Sequence, residues 1–509
     1  MSLPLSLSRL PLVVTWQNPT ERSWIDAPLN FPKLSFLPDP ITLDPSCVSK
    51  PPGSIMATVS NSASQYKGPV GPLRRRCGQC SATGPKLLRC GGCRAVHYGN
   101  REHQTAHYPQ HKSACIKIRK ARTLVAEEDH RVRNAEPDFM TPANAFETDV
   151  GRFWGIWDTR DYMRARFQLA GVHLLRLGTF DGVHEAFDHL WDMLKLCRSD
   201  NMGLRDIVPA IMLRLDLDQE CYDFVKWWAT CDPDGNYDWG DMTLPYLDIC
   251  GANVFEDPGF LLGNFPALNH IIAVLMLKLK LLVDIRNLKV TRKILRNRLP
   301  LELWELIELG VVRSPLSVQL QKEPAASLSK TEQTLVGQTR QLGAALVKAN
   351  HGFMFDLFEP DEALSAKPEA YSRGFWEETA LAMQNSYAAW WEIEGILDLL
   401  KDARECAARE SMDEIADMMG SETFKLGPGS HRTAEELLSD VSVNRIWGYL
   451  DYAVENASYL GPWSERPSER YTRELAEQMA RAIAEDEDEI GFYGSDEDSE
   501  IGFDESDDD

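Results

Sequence analysis

Five of the eleven cysteines and four of the eleven histidines of this 509-residue chain fall between Cys77 and Cys115. From Arg76 the run reads RCGQCSATGPKLLRCGGCRAVHYGNREHQTAHYPQHKSAC. Cys77-x2-Cys80 and Cys90-x2-Cys93 are two knuckles separated by nine residues. A Cys-x-x-Cys turn sets two thiolates about one tetrahedral edge apart, and Zn2+ takes four N or S donors at about 2.0–2.3 Å. His103, His107, His111 and Cys115 follow within 22 residues of the second knuckle. The neighbouring Arg and Lys side chains favour thiolate over thiol. A segment this short, with so few large apolar side chains, folds only around its metal, so binding and folding are coupled. A redox dithiol is the competing chemistry, but such sites rarely carry this many histidines.

The order of these residues is distinctive: Cys-x2-Cys, Cys-x2-Cys, an aromatic, then His-Gln-x3-aromatic-x2-His-Lys-x2-Cys. Over 39 of the 509 residues it resembles a MYND-type zinc finger. The resemblance implies a cross-brace fold with two zinc ions. It makes Cys90, Cys93, His111 and Cys115 one complete ligand set. The other set takes Cys77, Cys80 and His103, where His103 stands in place of the family's usual Cys. The remaining family ligand, a Cys directly after the aromatic, is Gly99 here. His107, His97 or water is left to fill the fourth position, with His107 preferred. His103, His107 and His111 are spaced i, i+4, i+8. Assigning His103 and His111 to different ions therefore implies a break in the helix near Pro109.

MYND fingers are similar in use, as modules that grip short proline-containing peptides, often in transcriptional regulators. The family's peptide groove maps here to Gln104 and Tyr108, with tyrosine in place of tryptophan. Prolines suit such a platform because a preformed extended peptide loses little entropy on docking. Packing of Tyr108 between the two metal lobes is the alternative role. Some relatives insert this finger in a lysine methyltransferase. The Asn-His-Ser-Cys signature of those enzymes is missing, however, since Asn269-His270 lacks the following Ser-Cys. A non-enzymatic protein is expected.

The elements around the finger divide the chain by charge. The net charge is −23, yet residues 67–122 carry +12 and residues 485–509 hold fourteen acids and no base. The acidic average argues against nucleic acid or an anionic membrane as the main partner. The finger escapes that argument, because Arg74-Arg75-Arg76 and Lys117-x-Arg119-Lys120-x-Arg122 flank it and could meet phosphates. Residues 1–72 carry twelve of the 29 prolines and read as a disordered leader without a signal peptide. Residues 73–120 are the finger, 140–484 a helical body, and 485–509 an acidic disordered tail containing Ser495 and Ser506 as acid-directed phosphorylation sites. The six isolated cysteines fit a reducing compartment, nuclear or cytoplasmic, rather than a secreted framework.

Within the body, Phe167, Ala170, Leu174 and Leu177 form one helical stripe, and Val183, Phe187, Leu190, Trp191 and Leu194 a second. A similar unit recurs about 36 residues on, close to the 34-residue tetratricopeptide period. Either a tetratricopeptide-like stack or a non-repetitive helical body satisfies this spacing. Further helices are expected at 267–297, 301–310, 327–349, 375–400, 434–457 and 468–484. The apolar run Ile271 to Val283 carries Lys278 and Lys280 and is too short for a bilayer, so it reads as a buried helix. The acidic loop from Asp232 to Asp241 fails the calcium-loop register and reads as a connector. The fold class is thus mainly α: a small cross-brace zinc finger on a helical body similar to that of fungal-type MYND proteins, with disordered termini. The function implied is a zinc-dependent interaction adaptor or regulator, with a DNA-contacting transcription factor as the alternative.

Overall fold

The computed structural model describes residues 73–137, 141–263, 266–295, 299–368, 371–420 and 433–456. The leader, the helix expected at 468–484 and the acidic tail lie outside these residues. The protein is mainly helical, as composition and periodicity predict. The described strands are β1 (Leu88–Arg89) and β2 (His97–Tyr98), an antiparallel pair within the finger.

Helix α1 (Arg101–Arg133) starts at Asn100, whose side chain accepts a hydrogen bond from the His103 amide at 2.8 Å. It is 33 residues long and runs through Pro109. The break expected there is absent. Eight residues separate His103 from His111, which is about 12 Å along the axis and about 80° around it, so one helix can serve two distant ions. Pro109 forfeits the bond to the Thr105 carbonyl. Both residues are exposed, so water can take that bond. Helix α1 also continues past residue 120 and packs on α2 (Thr159–Phe167) and the π-helical turn Gln168–Leu174.

Both expected helical hairpins are present. The first turns at Gly178, at φ +63°, into α3 (Phe180–Leu196), and the second joins α4 (Val208–Arg214) to α5 (Asp218–Thr230). Their first arms differ in length, and an irregular segment follows α5, so no third unit stacks on them. The aromatic ring pairs Trp227–Tyr246 and Trp228–Trp239 lie 5.0 and 5.4 Å apart and fasten that segment. Its carboxylates accept from backbone amides, Asp232 from Tyr237 and Asp238 from Gly240, both at 2.9 Å. This is a connector, as its register suggests.

The hairpins and later helices surround α6 (Leu268–Leu295), which is buried almost throughout its first eighteen residues. Helices α4, α5, α7 (Ala325–Ala349), α8 (Trp376–Glu392) and α9 (Ile396–Gly420) all pack on it. Lys278 and Lys280, the lysines of its apolar run, are sequestered in the core rather than solvated. Lys278 donates to the Val254 carbonyl at 2.5 Å and Gln338 Oε1 at 2.7 Å, and Lys280 pairs with Asp216 and Asp218 at 2.8 and 3.0 Å. Among the described residues no helix is long and apolar enough to cross a membrane. The single helix expected at 375–400 is two, because Gly395 adopts φ +87° between α8 and α9. Finger residues Cys77, Val96 and Tyr98 belong to the same apolar cluster as the body core.

Candidate metal centre and the finger–body junction

Strand β2 holds the two knuckles together. The Gly78 amide donates to the His97 carbonyl and the Cys90 amide to the Val96 carbonyl, each at 2.8 Å. Each knuckle closes with the same turn: Ser81 N donates to Cys77 O at 2.8 Å, and Arg94 N to Cys90 O at 3.0 Å. Ser81 and Arg94 both take left-handed backbone, at φ 58° and 57°.

Helix α1 delivers the remaining donors. The Sγ atoms of Cys90, Cys93 and Cys115 and a ring nitrogen of His111 all lie within 4.8 Å of one another, and so do the donors of Cys77, Cys80 and His103. Two thiolates on tetrahedral Zn2+ sit about 3.8 Å apart, and a thiolate and an imidazole about 3.6 Å apart. Cys90 Sγ to Cys115 Sγ is 3.7 Å, Cys93 Sγ to His111 Nε2 3.3 Å, and Cys77 Sγ to His103 Nδ1 3.4 Å. Both groups have the donors and spacing to hold zinc. The family resemblance implied two sets for these seven residues, and the fold brings them together as the same two groups.

The protonation pattern suits a cation. Burial raises the Cys77 thiol, but the amides of Gly99, Cys80 and Gln79 outweigh it and bring it down to about 7. Burial, reinforced by Cys90 and Cys115, pushes Cys93 up to about 12, so a thiolate there needs a positive charge among the sulfurs. Burial also holds His111 down to about 4, in the neutral form that ligates metals.

Neither His97 nor His107 joins the three-residue group. His107 Nδ1 is hydrogen-bonded to the Tyr98 hydroxyl at 3.0 Å, and its ring stacks on His111 with centroids 5.7 Å apart. His97 Nδ1 lies 2.9 Å from Asp181 Oδ2. Gln104 is half-buried and Tyr108 is 50% exposed, one turn apart on α1. Sequence reasoning missed Gly92, where a Cβ would come within 2.6 Å of Cys115 Sγ. Only glycine lets that thiol approach.

It also missed the junction with the body. The β1–β2 register sets Arg89 opposite His97, and both reach Asp181 in the first turn of α3. Arg89 and Arg75 approach Asp181 Oδ1 at 3.0 and 3.1 Å. Arg122 of α1 grips Glu185 through two bonds, at 2.7 and 2.5 Å, and donates to the Cys93 carbonyl. The Thr179 hydroxyl accepts from Gly182 N, capping α3, and donates to the Ala95 carbonyl at 2.6 Å. A cleft of about 420 Å3 lies between the two parts, lined by these arginines and acids. An acid in the first turn of a helix reads as a complement to the helix dipole. No feature of the sequence around Asp181 names the finger as its partner.

No curated protein and no solved structure matches this chain. Residues 77–115, the segment just described, match the family model of the MYND finger.

Proposed function

We propose that the protein is a non-enzymatic adaptor whose finger docks a proline-containing peptide on Gln104 and Tyr108. A MYND finger is a zinc-binding protein-interaction module, and this is the coarse reading on which the finer one stands. In this reading zinc is held by Cys90, Cys93, His111 and Cys115 in one site, and by Cys77, Cys80 and His103 in the other. The observation that carries it is the half-exposed ring of Tyr108 on a helix whose inner face is occupied by both donor groups. A flat aromatic held on so fixed a support loses little entropy when a peptide docks. Of the cations a DNA contact would use, Arg75, Arg89 and Arg122 are engaged by Asp181 and Glu185, while Arg119 and Lys120 are exposed. Reduced cysteines throughout the described chain suit a nuclear or cytoplasmic protein.

Titrating full-length protein against an array of proline-containing peptides tests the proposal. Tyr108→Ala should weaken the best peptide about tenfold or more, as loss of an aromatic hot spot does, with zinc content unchanged. Binding that ignores Tyr108→Ala, or a filter-binding signal for DNA with a steep salt slope, overturns it.

A further inference from the structure

Two sets of cations stand out in the finger. Arg75, Arg89 and Arg122 face the body and are held by Asp181 and Glu185. Along the exposed face of α1, Arg101, Tyr108, Lys112 and Arg119 are spaced 7, 4 and 7 residues apart. At about 100° per residue that puts them within about 40° of one line, about 27 Å long. All four side chains are exposed, and exposed Lys120 adjoins the end of the line. None of the four cations forms an ion pair with another described residue.

The chain carries a complement to this stripe. Residues 485–492 read EDEDEIGF and residues 496–503 read DEDSEIGF, so four or five carboxylates twice run into Ile-Gly-Phe. Eight extended residues span about 26 Å, the length of the stripe. We infer that this acidic unit of the chain's own C-terminus docks along the outward face of α1. Its carboxylates meet Lys112, Arg119 and Lys120, and its apolar end covers Tyr108.

Reach allows it. The described chain ends at Asn456, 29 residues before Glu485, and that many residues extend to about 100 Å. A globule of about 360 residues is only about 50 Å across. Exposed ion pairs are individually weak. A tether supplies an effective concentration of about millimolar, so contacts too weak in trans become populated in cis. The docking stands on charge and spacing, independent of the peptide reading. Because both use Tyr108, the tail would compete with any ligand of that ring.

Fluorescence anisotropy of a labelled 485–503 peptide tests this with the full chain and with a chain ending at residue 484, which keeps every described residue. The shortened chain should bind about tenfold or more tightly than the full chain, whose site is already taken. Binding should weaken steeply between about 50 and about 200 mM NaCl. Lys112→Glu, Arg119→Glu and Lys120→Glu together should abolish it, with zinc content by native mass spectrometry unchanged. Equal binding by the two chain lengths overturns the proposal whatever the triple variant does. So does a single-stranded DNA 20-mer that binds both lengths equally and displaces the peptide.

Discussion

The two knuckles of the finger share one backbone and differ in what reaches them. Each closes with the same left-handed residue and the same amide-to-carbonyl turn, at 2.8 and 3.0 Å. The second receives both His111 and Cys115 from α1, and three of its four donors are buried. The first receives only His103, leaves Cys80 exposed, and has glycine where a fourth donor would stand. A knuckle turn therefore presents two sulfurs, while the helix that crosses it decides how strongly an ion is held. The second group has the makings of a structural ion and the first of an exchangeable one.

The largest effect should come from Cys93→Ser. Structural zinc contributes about 10–16 kcal/mol of binding free energy in isolated fingers, as much as the whole stability of a typical domain. We expect loss of one ion by native mass spectrometry and rapid proteolysis within residues 73–120, with the helical signal of the body retained. Cys80→Ser should cost one ion and leave the finger protease-resistant. If the two variants behave alike, the groups are not unequal. On unmodified protein, a graded chelator should release zinc in two steps, and a single step would say the same.

The junction offers a smaller effect that divides the halves. Asp181→Ala leaves Arg75 and Arg89 without their acceptor and removes the carboxylate beside His97 Nδ1. Loss of a buried partner costs about 3–5 kcal/mol, but both arginines are half-exposed, so about 1–3 kcal/mol is expected in urea unfolding. His97 is the residue whose carbonyl receives the Gly78 amide beside Cys77. The first chelator step should therefore speed up while the second holds. Equal acceleration of both would show that the body supports the finger as one unit.

Gly99→Cys should make the halves alike. A Cβ at position 99 lies 3.5 Å from His103 Nδ1, an ordinary contact. A thiolate there supplies the donor the first group lacks. Its zinc affinity should rise about tenfold or more, which is about 1.4 kcal/mol, and the two chelator steps should converge. An unchanged first step would mean that the new thiol points away.

The seven donors were legible because ligand spacing is a local property, written within 39 residues of chain. The buried helix α6 was legible for a similar reason, its apolar run being too dense for a surface helix. The passage of α1 through Pro109 was misread because His103 and His111 were taken to share one face, although eight residues of unbroken helix part them by about 12 Å and about 80°. The hold of Asp181 on the finger was not legible at all. It joins residues 106 apart in sequence, and nothing in a run of charges tells which acid a remote arginine will meet. That the +12 segment needs acids could be read from composition; that α3 supplies them could not.

The smallest effect concerns His107, which lies between the two groups and was the preferred fourth donor. If it ligated the first ion, His107→Leu would weaken that ion as severely as Cys80→Ser. The fold gives it another task, because its Nδ1 bonds the buried Tyr98 hydroxyl at 3.0 Å and its ring stacks on His111. Replacing it should cost about 1 kcal/mol, the usual worth of one hydrogen bond. Both zinc ions should remain by mass spectrometry. Tyr98→Phe should cost a similar amount, and the double variant little more than either single, because both remove the same bond. An ion lost from His107→Leu but kept in Tyr98→Phe would return the histidine to the first group and make the two halves more equal than their donors suggest.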